Sequence, residues 1–500
     1  MKNFLNIRMK IAFVQDIIQF SVPLGTTLIA GSLRHAGHEV DVFVVENDLD
    51  KTIRELEQYK PDAVAFSVIT GSHQEYIIIA RAIKQKLNLP IIWGGPHATF
   101  SPKIVEEDYA DAVCVGEGEE AVIEFANAFD SEGKKLPTKI ANFWVKINGK
   151  IYRNAVRPRI KNLDNVPYPA RDLFLDKFPI LKNHGMKHFM AHRGCPHKCT
   201  YCFNHTYNKM YLEQAGDKKV LFSRTPDSIV DEILWLKETE TIKMVQFVDD
   251  VFTLHKKWIL DFAKVYEKRC RIPFAINARF DHMDEEIISS LAKAGLRLVN
   301  AGIESGNEYM RNTVMLRQQT LDSMFKTGSL LKKYGVKLLT ENVIGNPGET
   351  FDMAMETLEV NIKLKPNIAN ASVFAPYPGL KMTQYAIDKG YFDGNFDRLE
   401  ATYHDKSVLK FEKKEDGRKI YNLRCFFSLL THHPWLLRFV KPLLNLPFNK
   451  VFWTIGNVLD GYYIRKGIAY KQKPKEFITS VIHFLTNYRN TRKLSKDLVN

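Results

Sequence analysis

The sequence predicts an α/β protein in three parts: a doubly wound parallel sheet, then a partial barrel of six β/α units, then a mainly helical region. Three observations carry that expectation. Short apolar, β-branched runs alternate with segments of helical spacing from Lys10 to about residue 130, and again from about 186 to 385. Gly, Pro or Asp bounds most of these runs, as strand ends require. With 500 residues, 45% hydrophobic and 12% aromatic, the chain has apolar material for several cores.

In the first block, residues 1–140, the strand-like runs are "KIAFVQ", "EVDVFVV", "DAVAFSV", "PIIWGG" and "DAVCVGEG". Between them lie "TTLIAGSLRHAG", "DKTIRELEQY" and "QEYIIIARAIKQKL", whose apolar positions recur every three or four residues. This reads as a flavodoxin-like (Rossmann-like) sheet. The opening "MKNFLNIRMKIAFVQDIIQF" is interrupted by Asp16 and lacks a small-residue cleavage site, so it is expected to be a first strand, not a signal peptide. Ligands of such sheets sit beyond the carboxyl ends of the strands, where glycine lets backbone approach them. The candidate loops are Ser67 to Gly71, Gly94 to Thr99 and Gly116 to Glu119. No GxGxxG follows the first strand, which argues against a dinucleotide fingerprint.

Residues 141–185 read as a linker. "NFWVKINGKIYRN" predicts a hairpin turning at Asn148 and Gly149, and "RPRIKNLDNVPYPARDLF" is proline-rich and extended.

The second block, 186–385, carries "KHFMAHRG", "MVQFVDD", "PFAINARF", "RLVNAGIES", "KLLTENVIG" and "NASVFAP", each followed by a helical segment such as "DSIVDEILWLKET" or "DEEIISSLAKAG". Six such units suggest a partial TIM-type barrel, whose functional groups gather at the C-terminal ends of the strands. Cys195, Cys199 and Cys202 fall just after the first of these strands, in a chain with only six cysteines. A closed zinc site wants four ligands, usually from a second distant pair, and none is present; His197 or His205 would complete only a strained local knuckle. A redox pair would use "CTYC" and leave Cys195 unexplained. Three thiolates on one loop suit an iron–sulfur cluster that keeps one iron open. Cys114, Cys270 and Cys425 have no ligand spacing and read as small buried hydrophobes. Nothing in the six suggests a disulfide framework, so a reducing, cytoplasmic compartment is expected.

Most of the +14 net charge lies in the C-terminal region, 386–500: residues 401–500 hold 19 Lys plus Arg against 7 Asp plus Glu. The stretch "CFFSLLTHHPWLLRFVKPLLNLPFNKVFWTIGNVLDGYYIRKG" is rich in aromatics and leucine, but charges and prolines keep it from the ~20 apolar residues of a bilayer span. One reading is peripheral contact with anionic lipid at the inner membrane face, or a pocket for a large anionic or apolar substrate. The other is a helical subdomain with a solvated basic face. No RNA-binding pattern accompanies the charge, and nucleic acid is not expected as a partner.

The loops "SVIT", "GGPHAT" and "VGEGE" together resemble the cobalamin-binding domain of many radical S-adenosyl-L-methionine (SAM) enzymes. The Asp-x-His-x-x-Gly loop that supplies a lower axial histidine is missing; the region reads "QDIIQFSVPLG". The spacing Cys-x3-Cys-x-aromatic-Cys, with Tyr201 as the aromatic, is similar to the radical SAM signature, and the likeness covers roughly residues 5 to 385. The resemblance implies a [4Fe-4S] cluster on Cys195, Cys199 and Cys202 whose open iron chelates SAM. It implies SAM contacts from Tyr201, Asp249, Asp250, Asn277, Arg279, Glu304, Ser305, Gly345 and Pro347 at successive strand ends. For cobalamin it implies Ser67, Gly94, Gly95, His97, Gly116, Glu117 and Gly118, although a histidine in such a loop is more often a hydrogen-bonded loop residue. It assigns no catalytic side chain. The implied activity is reductive cleavage of SAM to a 5′-deoxyadenosyl radical and C-methylation of an unactivated carbon in a small-molecule or lipid-like substrate. A reductant such as flavodoxin or ferredoxin is implied as electron donor. Oxidative cyclisation or rearrangement with the same cofactors is the enzymatic alternative, and a cobalamin- or metal-binding module without catalysis is the other. Methylthiotransferases are disfavoured, because the first 190 residues contain only Cys114 where those enzymes carry three further cluster cysteines.

Overall fold

The computed structural model describes residues 9–18, 21–131, 133–399, 407–468 and 470. The predicted features at residues 1–8 and 471–500 lie outside these. The chain divides into two compact units: one runs to His184 and takes in Tyr207–Lys219, the other comprises Gly185–Thr206 and continues from Val220.

In the first unit, β1 (Lys10–Gln15), β2 (Glu39–Val44), β3 (Ala63–Ser67), β4 (Ile91–Gly94) and β5 (Ala112–Cys114) run parallel in the spatial order β2-β1-β3-β4-β5. The winding reverses between β1 and β3, as in a flavodoxin-like sheet. Both faces of these strands are covered by helices, which is why they read as near-continuous apolar runs. Ala12, Val64, Ile91 and Val113 are fully buried in a core with Trp93 and Phe66, whose rings meet edge-on at 5.3 Å. After β5 the chain turns through Asn148 and Gly149, at φ 48° and 78°, between β6 (Phe143–Ile147) and β7 (Lys150–Arg153). Two residues at positive φ make a turn whose twist matches that of the strands. β6 pairs antiparallel with β5, so the hairpin completes a seven-stranded sheet.

The second unit holds β8 (Met186–Phe189), the two-residue β9 (His192–Arg193) and β10 (Phe222–Ser223), then β11 (Met244–Phe247), β12 (Phe274–Ala278), β13 (Leu296–Glu304), β14 (Lys337–Ile344) and β15 (Ile368–Val373). β9 and β10 pair antiparallel. The other six form one all-parallel sheet in chain order, the half-barrel that the residue pattern predicts. Four crossover helices start on a side chain that accepts from the third residue beyond it: Thr225 from Ser228, Asp284 from Ile287, Thr320 from Ser323 and Thr350 from Met353. Each cap is worth about 1 kcal/mol and fixes where a loop ends and its helix begins.

The helices Lys414–His432, Leu437–Leu443 and Lys450–Gly467 belong to this second unit. Ile420, Leu423, Phe427 and Leu430 bury against Ile344, Leu358 and Ala371. Arg424, buried, pairs with Asp460 at 2.9 Å, and a Cβ on Gly456 would lie 2.8 Å from the Cα of Cys425, so the two long helices cross with backbones nearly touching. No helix among the described residues is long and apolar enough to cross a membrane. Cys114, Cys270 and Cys425 are buried and in no disulfide.

Candidate active site

The cysteine loop leaves the second unit's first strands through Gly194, at φ 86°. Cys195 and Cys199 are buried, Cys202 is half-buried, and none is in a disulfide. Burial pushes the Cys195 thiol up to about 12 and the Cys202 thiol up to about 11, with the neighbouring sulfurs adding to both. The loop is braced from below. Thr200 donates its N–H to the Met315 carbonyl (3.0 Å) and its hydroxyl to the Val314 carbonyl (2.7 Å). Those carbonyls end a π-helical turn, Tyr309–Val314, a rare conformation that is frequent at functional sites. Met382 N–H donates to the Thr200 carbonyl at 3.0 Å.

A group of charged side chains stands beside Cys199. The Arg279 guanidinium lies 4.0 Å from its sulfur and is fixed by two bonds to Asp281 (3.0 and 2.9 Å) and one to the Arg317 carbonyl (2.8 Å). Gln319 donates to Asp281 at 2.6 Å. Arg317 sits 3.6 Å from Glu304, both about nine-tenths buried. Burial opposes the Arg317 charge, but Tyr201, Glu304 and Cys199 around it hold the guanidinium well above its ordinary range. Glu304 itself is at φ 66°, after a register shift in β13 at Gly302. A non-glycine residue in the left-handed region costs energy that a fold keeps where a side chain must be aimed. His197 is pushed down to about 4, by burial and then by Arg279, and faces His282 at 3.1 Å.

The remaining strand ends divide by what their polar atoms do. Asp249 is 1% exposed; its Oδ1 accepts from the Ala191 N–H (3.0 Å) and the His192 N–H, pinning the chain between β8 and the cysteine loop. Burial pushes its carboxyl up to about 7. Asp250 is reachable by solvent yet recessed among protein atoms, so its carboxyl is also raised, with the Asn204 side chain and Gly194 N–H opposing. Asn277 donates to the Asp249 carbonyl (3.0 Å) and accepts from Asn300 (3.1 Å). Ser305 is fully buried. In "GNPGET", Gly345 and Gly348 have φ 72° and 79°, and Asn346 donates from backbone and side chain to Glu349 (2.8 and 3.0 Å), closing the turn around Pro347. Tyr201 packs among Met310, Met315 and Phe374.

In the first unit a cavity of about 130 Å³ opens at the point where the winding reverses, lined by Gln15, Asp16, Thr26, Ser67 and Tyr76 among others. Burial pushes Asp16 up to about 6, and the Tyr76 hydroxyl donates to it at 3.2 Å. Of the residues predicted to contact cobalamin, Ser67 lines this cavity and Gly94 lies beside it in register. Gly95, at φ 87°, passes so close that a Cβ would meet the Val68 nitrogen at 2.7 Å. His97 is buried, bonded through Nδ1 to Thr70 (3.0 Å) and stacked on His73 at 4.4 Å, the geometry of a loop-holding histidine. The third loop is braced internally: the Tyr211 hydroxyl accepts from Glu117 N–H (2.7 Å), Thr99 accepts from Gly116 N–H (3.1 Å), and Glu117 accepts from Ile160 N–H (2.9 Å). Gly118 abuts Ile29, where a Cβ would come within 2.9 Å.

Sequence reasoning did not find Arg317, Gln319, Asp281, Gln15 or Asp16. The first three come from loops beyond the strand tips, where no motif marks them; Asp16 was visible only as the charge that interrupts the first apolar run.

These groups fit the implied cofactors. Among the described residues no three His, Cys, Asp or Glu side chains converge on one point as ligands of a single ion do. A cubane cluster seats its three thiolates on three separate irons, and guanidiniums beside Cys199 offset the negative charge it brings. Tyr201 Oη, Asp249 Oδ2 and Ser305 Oγ are buried with no protein partner, where a native interior normally satisfies such atoms. A polar ligand at the strand ends would satisfy them. The first unit's cavity lies where open α/β sheets bind their ligands.

The family model of the radical SAM superfamily matches residues 190–360, and that of the B12 binding domain matches residues 14–126. An uncharacterised methyltransferase of Pyrococcus horikoshii is 29% identical over 384 residues, 73% of this chain and 78% of its own. The anaerobic magnesium-protoporphyrin IX monomethyl ester cyclase of Rubrivivax gelatinosus is 25% identical, over 88% of this chain and 81% of its own. Among solved structures, the radical SAM methyltransferase TsrM of Kitasatospora setae, with cobalamin and a [4Fe-4S] cluster bound, superposes with a TM-score of 0.63 at 17% identity, covering 77% of this chain and 78% of TsrM. With both domains matched and the same fold in that neighbour, the chain belongs to the radical SAM enzymes that carry a cobalamin-binding domain, and its cofactors are a [4Fe-4S] cluster, SAM and cobalamin.

Proposed function

We propose that this enzyme transfers a methyl group from SAM, by way of cobalamin, to an unactivated carbon of a small or lipid-like substrate. The observation that carries the reading is the triad of Cys195, Cys199 and Cys202 on one loop, none of them in a disulfide and Cys199 beside Arg279, in a chain that also has a cobalamin-binding domain. When bound, the cluster supplies the electron that divides SAM into methionine and a 5′-deoxyadenosyl radical, and cobalamin supplies the methyl carrier.

The protein's part is to hold and orient. Cys195, Cys199 and Cys202 hold the cluster and leave one iron for SAM. Arg317 and Glu304, with Ser305, Asp250 and Asn277, fix the polar ends of SAM, and Arg279 steadies the Cys199 side of the cluster. The Gly345–Pro347 turn brings backbone toward the adenine. Asp249 pins the start of the cysteine loop through Oδ1 and leaves Oδ2 for the ligand. Ser67, Gly94 and Gly95 line the approach to cobalamin, His97 holds their loop in shape, and Gly116, Glu117 and Gly118 form the neighbouring wall. The electron comes from a small redox protein such as flavodoxin or ferredoxin.

A second reading, oxidative cyclisation, is favoured by the cyclase likeness, which extends over more of the chain than the methyltransferase one. Anaerobic incubation of the reconstituted enzyme with methyl-labelled SAM, hydroxocobalamin and dithionite separates the two. Label on cobalamin supports methylation. Deoxyadenosine released with no label on cobalamin would point to the cyclase reading.

A further inference from the structure

Thirteen large apolar side chains are strongly exposed among the described residues, and nine of them fall between Trp435 and Ile464. Their spacing is regular. Trp435, Phe439, Leu443 and Leu446 recur every three or four residues, while Val440 and Leu444 on the opposite side are buried. Val451, Ile455, Val458 and Tyr462 repeat the pattern in Lys450–Gly467, opposite the buried Trp453, Gly456 and Tyr463. The packed side of that helix is fixed by the Gly456 contact with Cys425, so the apolar stripe is the face the fold turns outward.

The charges around the stripe have one sign. Arg438, Lys441, Lys450, Arg465 and Lys466 are all exposed. Between residues 433 and 468 the sole acid is Asp460, which is taken up by Arg424 at 2.9 Å. Arg438 lies over the Phe439 ring at 4.6 Å, an arrangement that keeps a cation at the edge of an apolar surface. A second copy of this face would set five cations against five. An anionic lipid surface meets both features at once, its headgroups taking the cations and its acyl boundary the stripe.

We propose that the face from Trp435 to Lys466 seats the enzyme on an anionic bilayer, with both helices lying in the headgroup layer and neither crossing it.

The test is flotation of the full-length chain with vesicles of phosphatidylglycerol and phosphatidylcholine, against phosphatidylcholine alone, at two salt concentrations. Binding to the anionic vesicles, weakened by salt, is expected. The pairs Trp435→Ser with Phe439→Ser, and Val451→Ser with Val458→Ser, should each lower partitioning at least ~10-fold. Each of Arg438→Glu, Lys441→Glu and Lys466→Glu should lower it by about fivefold or more at low salt. All these positions are exposed, so circular dichroism and the melting profile should not change. Failure to bind anionic vesicles would overturn the proposal. So would binding that survives the stripe variants, which would move attachment to another part of the chain. A dimer in light scattering that the stripe variants dissolve would give the face to a second copy.

Discussion

Gly302→Ala tests how Glu304 is aimed. A Cβ at residue 302 would stand 2.0 Å from Glu304 Oε1, 2.7 Å from its Cδ and 3.0 Å from an Arg317 nitrogen. Glu304 is held at φ 66° and its carboxylate is confined by Arg317 at 3.6 Å, so it must swing away from the guanidinium. With both side chains only about 10% exposed, parting them leaves a buried charge uncompensated, at a cost of about 3–5 kcal/mol. If about 3 kcal/mol of that appears as lost SAM contact, affinity falls roughly 100-fold. Calorimetric titration of SAM into anaerobically reconstituted protein reads the loss, iron content shows that the cluster persists, and urea unfolding reports the structural cost. The double variant Gly302→Ala, Glu304→Ala removes the crowding, so it should recover part of the stability but none of the SAM affinity, a coupling that a double-mutant cycle isolates. Wild-type affinity and stability in Gly302→Ala would refute the reasoning, and so would a double variant that regains SAM binding.

Thr200→Val removes the hydroxyl that satisfies the Val314 carbonyl at 2.7 Å; the loop should loosen by about 1–3 kcal/mol, seen as faster amide exchange over residues 195–202 and fewer irons retained after gel filtration. Gly116→Ala places a Cβ 2.4 Å from the Tyr211 hydroxyl and strains a φ of 83°, so both the melting temperature and retained cobalamin should drop, and adding Tyr211→Phe should restore part of the melting temperature only. Burial pushes Glu349 up to about 7, whereas in the unfolded chain it titrates near 4.3. Between those values the folded state holds the extra proton, so this group's contribution to stability is full below pH ~4 and is lost as pH rises through 7, by up to about 3 kcal/mol. Urea midpoints of metal-free protein at pH 5 and 7.5 should therefore fall less for Glu349→Gln than for wild type; equal falls would contradict the assignment.

The parts legible in the sequence are those that local physics decides. Strands buried on both faces show as apolar runs, helix starts show as Thr or Asp before them, and three thiols within eight residues need no knowledge of the fold to be seen together. What stayed hidden depends on contacts far apart in the chain. The turn at Asn148–Gly149 is visible, but its pairing with β5 is not. Glu117 reads as part of a ligand loop, yet its N–H is bonded to Tyr211, 94 residues on. Asp249 looks like any acid at a strand tip until its bonds to Ala191 and His192 show it holding the cysteine loop. Arg317 belongs to no strand end at all, and only the folding back of the π-helical turn brings it to Glu304.

Electron paramagnetic resonance of the dithionite-reduced, anaerobically reconstituted chain, with and without SAM, probes the open iron most directly. The account predicts a reduced [4Fe-4S] signal that changes shape when SAM is added, together with release of 5′-deoxyadenosine, and loss of both on Cys199→Ala. A centre whose spectrum is indifferent to SAM, or protein that purifies with zinc on these three thiols, would contradict it.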